Sequence, residues 1–208
     1  MTAVDTTLHT ARLDLLLMTP AFFAAAISGD QAQAAQLLGV PLPAEWWPVP
    51  HHTRDRVAQA QQNPALQPWL ERAIVLRSTQ TMIGSIAFHM ARAPEPLRPL
   101  GPGGVEFGYT IFTPFRGQGY ATEACQALIT WAQQQGVQRF VLTIRPDNQP
   151  SLRIAARLGF HKIGSQMDDE DGLEDIYELI LNPRQSSQLT TPTSGRGGSG
   201  NMAINSNE

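Results

Sequence analysis

The chain has 208 residues, enough for one domain with some chain to spare. Hydrophobic residues make up 42% and charged residues 16%, and with 17 Gly and 16 Pro the composition excludes a collagen, a coiled coil and a wholly disordered chain. A net charge of −3 lacks the basic footprint of a dedicated nucleic-acid binder, and a single cysteine excludes a disulfide framework or a multi-cysteine zinc site.

The apolar stretches of the sequence are too short for a membrane span. The longest candidate, residues 13–27, is interrupted by Asp14 and Pro20, whereas a spanning helix needs about 20 consecutive apolar residues. No basic segment precedes an apolar run near Met1, as a secretory signal would require. We therefore expect a cytoplasmic protein.

The first half of the chain predicts a helix-rich start followed by strands. Residues 10–18 alternate and then become apolar, which is typical of a strand. Helices are expected at 21–28, at 31–38 and at 53–62, where Thr53 is a possible N-cap. Between the last two, four prolines predict an irregular connection. Strands are expected at 73–77, 81–90 and 105–112, with a loop rich in Pro and Gly at 92–104.

The second half has the most regular patterns. Apolar residues from Ala121 to Ala132 recur at helical spacing, and Gly136 ends the predicted helix. Asn148 is a suitable cap for another helix, which the strand 138–144 precedes. Two further strands, 160–165 and 173–181, flank an acidic segment. This order predicts a mixed α/β sheet covered by helices.

The composition changes after Leu181. Residues 182–208 contain no aromatic residue and are rich in Ser, Thr, Gly, Asn and Gln. Such a segment buries too little apolar surface to offset the entropy of ordering. We predict one domain over 1–181 and a disordered tail over 182–208.

The segment Phe115-Arg116-Gly117-Gln118-Gly119-Tyr120-Ala121-Thr122 lies between a predicted strand and a predicted helix. Small residues at 117, 119 and 121 allow a ligand to approach the backbone closely. The unpaired amides of the first helical turn and the helix dipole favour an anion there. The segment predicts a cradle for a phosphate or pyrophosphate. A tight turn without a ligand is the alternative that these residues alone leave open.

A second landmark follows the next strand, where Asn148-Gln149-Pro150-Ser151 leads to Leu158-Gly159-Phe160. Together with Arg116-x-x-Gly119-x-Ala121, this pattern is similar to the GNAT superfamily of acyl-CoA-dependent N-acetyltransferases. Within it, Thr10-x-Arg12-Leu13-x-Leu15 and Glu106-x-Gly108-Tyr109 resemble the branch of ribosomal-protein N-terminal alanine/serine acetyltransferases. The resemblance implies a mixed, mostly antiparallel sheet flanked by helices, with acetyl-CoA as the cosubstrate.

The resemblance also implies roles for particular residues. The amides of the cradle hold the CoA pyrophosphate, the end of the fourth predicted strand pairs with the pantetheine arm, and Asn148 and Arg153 contact the cofactor. Ser151 hydrogen-bonds the leaving sulfur. Many members carry a general-acid Tyr where this chain has Ala155, so the acid role passes to Ser151 or to solvent. The implied cofactor-binding residues are Ile111, Phe112, Thr113, Arg116, Gly117, Gln118, Gly119, Tyr120, Ala121, Asn148, Ser151 and Arg153.

Glu106 is the candidate base, acting through water, because it is a carboxylate in an otherwise apolar strand. A solvent-facing Glu, or one paired with a nearby Arg, is the competing interpretation. Asn148 and Ser151 also suit a structural helix start. Cys125 lies on the apolar stripe of its helix and is expected to pack in the core. Trp46 and Trp47 either line an acceptor pocket or fasten their loop to the core.

We predict an N-acetyltransferase that moves the acetyl group of acetyl-CoA to a primary amine by direct transfer in a ternary complex. The amine belongs to a protein N-terminus or to a small molecule. No metal, nucleic acid or membrane is expected, and either a monomer or a homodimer is compatible with the sequence. A non-catalytic CoA-binding module on the same fold is the competing class. The acidic segment from Asp168 to Glu178 is either a solvated turn or an attractor for a cationic acceptor.

Overall fold

The computed structural model describes residues 6–46, 51–89, 104–168 and 172–181. The predicted tail, 182–208, and most of the predicted loop at 92–104 lie outside the described residues. The strands are β1 Leu8–His9, β2 Leu13–Leu17, β3 Arg72–Leu76, β4 Thr81–Phe88, β5 Gly104–Ile111, β6 Arg139–Ile144, β7 His161–Asp168 and β8 Gly172–Ile180. The helices are α1 Pro20–Ile27, α2 Gln31–Leu38, α3 His51–Gln62, α4 Tyr120–Gln134 and α5 Gln149–Leu158.

The described residues form one eight-stranded sheet in the order β1-β2-β3-β4-β5-β6-β8-β7. Every neighbouring pair is antiparallel except β5 and β6, which are parallel. The predicted mixed, mostly antiparallel sheet flanked by helices is therefore confirmed. In the part of the chain that is described, no helix combines the length and apolarity needed to cross a membrane.

Helices cover both faces of the sheet. On one face α4 and α5 pack in a core that contains Phe107, Phe140 and Cys125, so the cysteine is a core residue as expected. On the other face α1, α2 and α3 pack over a second core around Phe22 and Phe112. Neighbouring residues of a strand point to opposite faces. Residues 105, 107 and 111 of β5 belong to the first core, so the even-numbered residues point to the opposite face of the sheet.

The predicted helices agree with the structure where local signals are strong. Helix α5 begins after Asn148, whose side chain caps it, and ends at Gly159 with a left-handed backbone. Helix α3 begins at His51 rather than at Thr53, so the prediction that Thr53 caps it is wrong. The predicted strand 10–18 is shorter, because the chain turns at 10–12 and forms the two-residue strand β1 before β2.

Arg72 is buried in the sheet, with only 1% of its surface exposed. Its guanidinium donates to the carbonyls of Thr6 at 2.6 Å and Pro68 at 3.1 Å and lies 5.2 Å from the ring centre of Trp131. Burial lowers the pKa of Arg72 to about 10, so the group is still a cation at neutral pH. The side chain thus ties the chain before β1 and the chain before β3 to the sheet.

Replacing Arg72 with Met keeps most of the volume but leaves two carbonyls without their donor. We expect R72M to lower the free energy of unfolding by about 2–4 kcal/mol, measured by urea denaturation. R77M is the matched control, because Arg77 also donates to a carbonyl, that of Thr10, but is half exposed. It should cost about 0.5 kcal/mol or less. Equal losses for the two variants would contradict the structural role of Arg72.

Candidate active site

The central feature of the site is a gap between β5 and β6. The two strands pair for only three residues of β5, Gly104 to Glu106. Beyond that point β5 stays with β4 as far as Ile111, and β6 stays with β8 as far as Ile144. The strands therefore diverge, and a cleft of about 180 Å³ lies between them.

The backbone of β5 directs free groups into this gap. His89 N donates to Glu106 O, and Phe112 N donates to Ile83 O, both at 2.9 Å. In an antiparallel sheet, every second residue of a strand bonds the neighbouring strand on one side, and the residues between them point their backbone groups to the other side. The even-numbered residues of β5 therefore bond β4, while Tyr109 and Ile111 direct their backbone groups towards the gap. Phe112 is one of the predicted pantetheine contacts, but its amide already donates to Ile83 of β4.

The predicted anion cradle is the start of helix α4. Gly119 is the N-cap, with a left-handed backbone at φ 82°, and no side chain caps the helix. The amides of the first turn, from Tyr120 onward, therefore lack intrahelical partners. Gly117 also has a positive φ, 76°, and no atom lies within 4 Å of where its Cβ would be. The loop is open to a ligand and presents the positive end of the helix dipole.

A network of hydrogen bonds around Arg12 and Glu123 contacts the cradle loop. Glu123 accepts hydrogen bonds from the Thr10 hydroxyl at 2.6 Å, the Arg12 amide at 2.9 Å and the Arg12 Nε at 2.7 Å. Arg12 also donates to the carbonyl of Gln118 at 3.0 Å and lies 4.5 Å from the ring centre of Tyr120. Sequence analysis assigned no role to this network. The Thr10-x-Arg12 motif was the available signal, but its partner is 111 residues away.

Arg116 braces the end of β5. Its Nε donates to the carbonyl of Ile111 at 2.8 Å, and its own amide donates to Thr113 O at 3.3 Å. The Arg116 side chain, predicted to bind the cofactor, therefore braces the end of the strand. Ile111 still directs its amide towards the gap, while its carbonyl is taken by the guanidinium.

Glu106 lies on the face of β5 opposite α4 and α5. It is buried, with 7% exposure, so the solvent-facing alternative is wrong. Thr143 Oγ1, across the gap on β6, donates to Glu106 Oε1 at 2.7 Å. His89 Nδ1 lies 3.4 Å from the same oxygen. No local sequence pattern relates His89 to Glu106, because the pairing of β4 with β5 that brings them together is a long-range contact.

Tyr109 and Ser151 lie on the opposite face of the gap. The Tyr109 hydroxyl is buried without a hydrogen-bond partner among the described residues. Its pKa is raised to about 12, mainly by burial and then by Cys125, while the Ser151 side chain slightly counteracts the shift. Ser151 is thus near the phenol but outside hydrogen-bond geometry. A buried unpaired hydroxyl is uncommon and costs free energy, and sequence analysis did not single out this side chain.

The remaining predicted residues lie at different places, and Trp47 lies outside the described residues. Asn148 and Ser151 line the cleft, and the Asn148 carboxamide oxygen accepts from the Ser151 amide at 3.2 Å. Arg153 is exposed on α5. Trp46 is buried 5.3 Å from the ring centre of Phe22, which agrees with the fastening role. Within the described ranges, no cluster of three His, Cys, Asp or Glu suits a metal ion.

The acidic segment is more structured than a solvated turn. Asp175 and Glu178 lie within β8 and pair with Lys162 at 2.7 Å and with Arg139. Glu174 lines the cleft. The carboxylates at 169–171 lie outside the described residues, so their predicted role towards a cationic acceptor is not tested.

A sheet that parts between two parallel strands, beside an uncapped helix N-terminus, defines the GNAT class of fold. The chain belongs to this family, because the model for the Acetyltransferase (GNAT) domain matches residues 20–161. The resemblance predicted from the sequence is therefore confirmed.

Individual relatives agree with this assignment. The chain is 36% identical over 100 residues to the ribosomal-protein-serine acetyltransferase of Escherichia coli, covering 48% of this chain and 51% of that protein. The chain spans between about half and three-fifths of the length of the curated relatives it matches.

Solved structures show the same fold. The ribosomal-protein-S5-alanine acetyltransferase of Vibrio fischeri superposes with a TM-score of 0.60 at 15% identity, covering 86% of this chain and 98% of that one. RimL, a ribosomal L7/L12 alpha-N-protein acetyltransferase in complex with coenzyme A, gives a TM-score of 0.54 at 22% identity, covering 84% and 98%.

The hydrogen bonds that Thr10 and Arg12 donate to Glu123 should make the stability of the protein depend on pH. Burial alone raises the pKa of Glu123, but the hydrogen bonds from Thr10 and Arg12 and the charge of Arg12 outweigh it and lower the pKa. The stabilisation is therefore present above the unfolded pKa of about 4.3 and is lost as the pH falls through the folded pKa. We expect E123Q to melt a few degrees below the wild type at pH 7, with the difference shrinking towards pH 3.

Thermal melts of both proteins between pH 7 and pH 3 measure this effect. D147N is the control, because the ion pair of Asp147 with Arg145 is exposed and such pairs contribute little. A difference between wild type and E123Q that stays constant over the whole range would contradict the assignment.

Proposed function

We propose that the protein is an N-acetyltransferase that moves the acetyl group of acetyl-CoA to a primary amine by direct transfer in a ternary complex. The single observation that carries the proposal is the gap between β5 and β6, which opens next to the uncapped start of α4. We assign this activity to a domain over residues 1–181.

The residues present fit coenzyme A. A pyrophosphate suits the amides of the first turn of α4 and the open space over Gly117. An extended amide chain such as pantetheine suits the backbone edge formed by Tyr109 and the amide of Ile111, where it adds to β5 as a further strand does. Asn148 and Arg153, at and beyond the start of α5, are assigned to the cofactor as the sequence predicts.

The two faces of β5 divide the chemistry of acyl transfer. When bound, acetyl-CoA supplies a thioester carbonyl that the amine attacks, so that a C–N bond forms and the C–S bond breaks. On the α4–α5 face, Tyr109 and Ser151 offer hydroxyl donors to the departing sulfur. With a pKa of about 12, the phenol stabilises a thiolate by hydrogen bonding rather than by giving up its proton, because a thiol has a pKa of only about 8.5.

On the other face, Glu106 provides the negative charge that draws the proton from the attacking amine. Its burial and its hydrogen bond from Thr143 fix the carboxylate at the point where the strands part. The solved and curated relatives named above acetylate ribosomal proteins, and we propose a protein N-terminus as the first acceptor class to test, with small-molecule amines as the alternative.

Calorimetric titration with acetyl-CoA tests cofactor binding. We expect the wild type to bind with micromolar affinity and G119E to lose binding, because the new carboxylate repels the pyrophosphate at the helix N-terminus. G136E is the matched control, since Gly136 follows the other end of α4 with a similar φ of 91° and free space around its Cβ position. Equal binding by wild type and G119E would contradict the cradle.

Replacing Glu106 with Gln separates an enzyme from a non-catalytic CoA-binding module. Gln keeps the shape and an oxygen for the Thr143 hydroxyl, but removes the charge that draws the proton. We expect E106Q to bind acetyl-CoA like the wild type in calorimetry while its acetyl transfer, followed by release of the CoA thiol, falls about 100-fold. Unchanged turnover would remove Glu106 from the reaction.

A further inference from the structure

His89 and Glu106 form a side-chain pair at the edge of the cleft. His89 directly follows β4 and lies opposite Glu106 of β5, because His89 N donates to Glu106 O at 2.9 Å. Opposite residues of an antiparallel pair point to the same face. Nδ1 of His89 lies 3.4 Å from Glu106 Oε1. His89 lines the cleft, as does Thr143, which donates to Glu106.

The two members of the pair differ in their access to solvent. The side chain of Glu106 is 9% exposed and that of His89 is 40% exposed. An amine that enters the cleft from solvent therefore meets the imidazole before it meets the carboxylate. A carboxylate accepts hydrogen bonds only, so its contact with Nδ1 favours the tautomer that carries its proton there and leaves a lone pair on Nε2.

Gly108 provides the space in which the imidazole lies. A Cβ at this position would come within 2.4 Å of His89 Nε2 and 2.8 Å of its Cε1. The ring thus lies over the bare backbone of β5, one residue before Tyr109. The glycine of the Glu106-x-Gly108-Tyr109 motif therefore has a physical reason, which is to let the ring reach the cleft.

We propose that His89 is the group that accepts the proton of the attacking amine, and that Glu106 is its positioning residue. This inference rests on the proposed acetyltransferase function. Nε2 of His89 takes the extra proton of the ammonium form, which frees the nitrogen lone pair to attack the acetyl carbon. As the C–N bond forms, the thiolate leaves with the electron pair of the C–S bond and takes up the proton that the nitrogen then loses, while Glu106 stabilises the imidazolium through Nδ1. Glu174 and Arg145 are the other charged residues that line this cleft.

Kinetics of H89A over pH 6 to 9 test the proposal, with acetyl-CoA and the best acceptor from a panel of short peptides with Ala, Ser or Met N-termini and small primary amines. We expect kcat/KM to fall about 100-fold near pH 6.5. The loss should shrink towards pH 9, because an α-amine, with a pKa of about 8, then arrives without its extra proton.

Added imidazole distinguishes a side chain that acts as a base from one that only packs in its place. It should restore most of the H89A activity but none of the activity of H89Q, whose side chain fills the space without supplying a base. H161A is the control, because His161 is exposed on β7 and pairs with Glu178 at 3.6 Å. Its rates should equal those of the wild type. Acetyl-CoA titration and thermal melts verify that the variants are folded.

Two results would overturn the role of His89 while leaving the proposed function intact. One is an H89A variant whose kcat/KM equals that of the wild type at every pH. The other is a loss that is equal at every pH and that imidazole does not relieve. A wild type that binds acetyl-CoA but transfers acetyl to no acceptor would overturn the proposed function, and this inference with it.

Discussion

The site depends on one constraint, which is that β5 and β6 cannot stay paired. Each strand is held on its outer side, β5 by β4 and β6 by β8, and the two meet for only three residues. The outer ladders continue past the point where the inner one ends, so the backbone of β5 has an open edge inside the protein. Unpaired backbone groups away from water are costly, and a ligand with amide groups of its own satisfies them.

The elements around the gap are held by contacts that do not themselves face it. Arg116 returns to the last carbonyl of β5, and Arg12 with Glu123 joins the turn before β2 to the start of α4. These charge-assisted bonds keep the cradle loop open without using the amides of the first helical turn. The loop can therefore present those amides to an anion without first giving up other partners.

The alternation of β5 gives the cleft two chemically different walls. Phe107 and Tyr109 point to the helices α4 and α5, where an apolar core surrounds the phenol. Glu106 and Gly108 point to the other face, where His89 and Thr143 are polar neighbours. One strand thus brings hydroxyl groups to one side of the cleft and a carboxylate with an imidazole to the other.

The sequence by itself determined the features that depend on neighbouring residues. The apolar spacing and the glycine after it determined α4, and Asn148 with Gly159 determined the ends of α5, because caps and helical periodicity act within a few positions. The same locality made the glycine cradle recognisable. The start of α3 was missed because nothing in His51-His52 marks a helix start.

Only the tertiary structure decided what the side chains of the site contact. Arg12 and Glu123 are 111 residues apart, and Thr143 and Glu106 are 37 apart, so no local pattern relates them. The burial of Glu106, the unpaired hydroxyl of Tyr109 and the place of His89 over Gly108 all follow from the register of β4 against β5 and the departure of β6. Strand register is set by the packing of the whole sheet, which is why these relations became visible only in the folded chain.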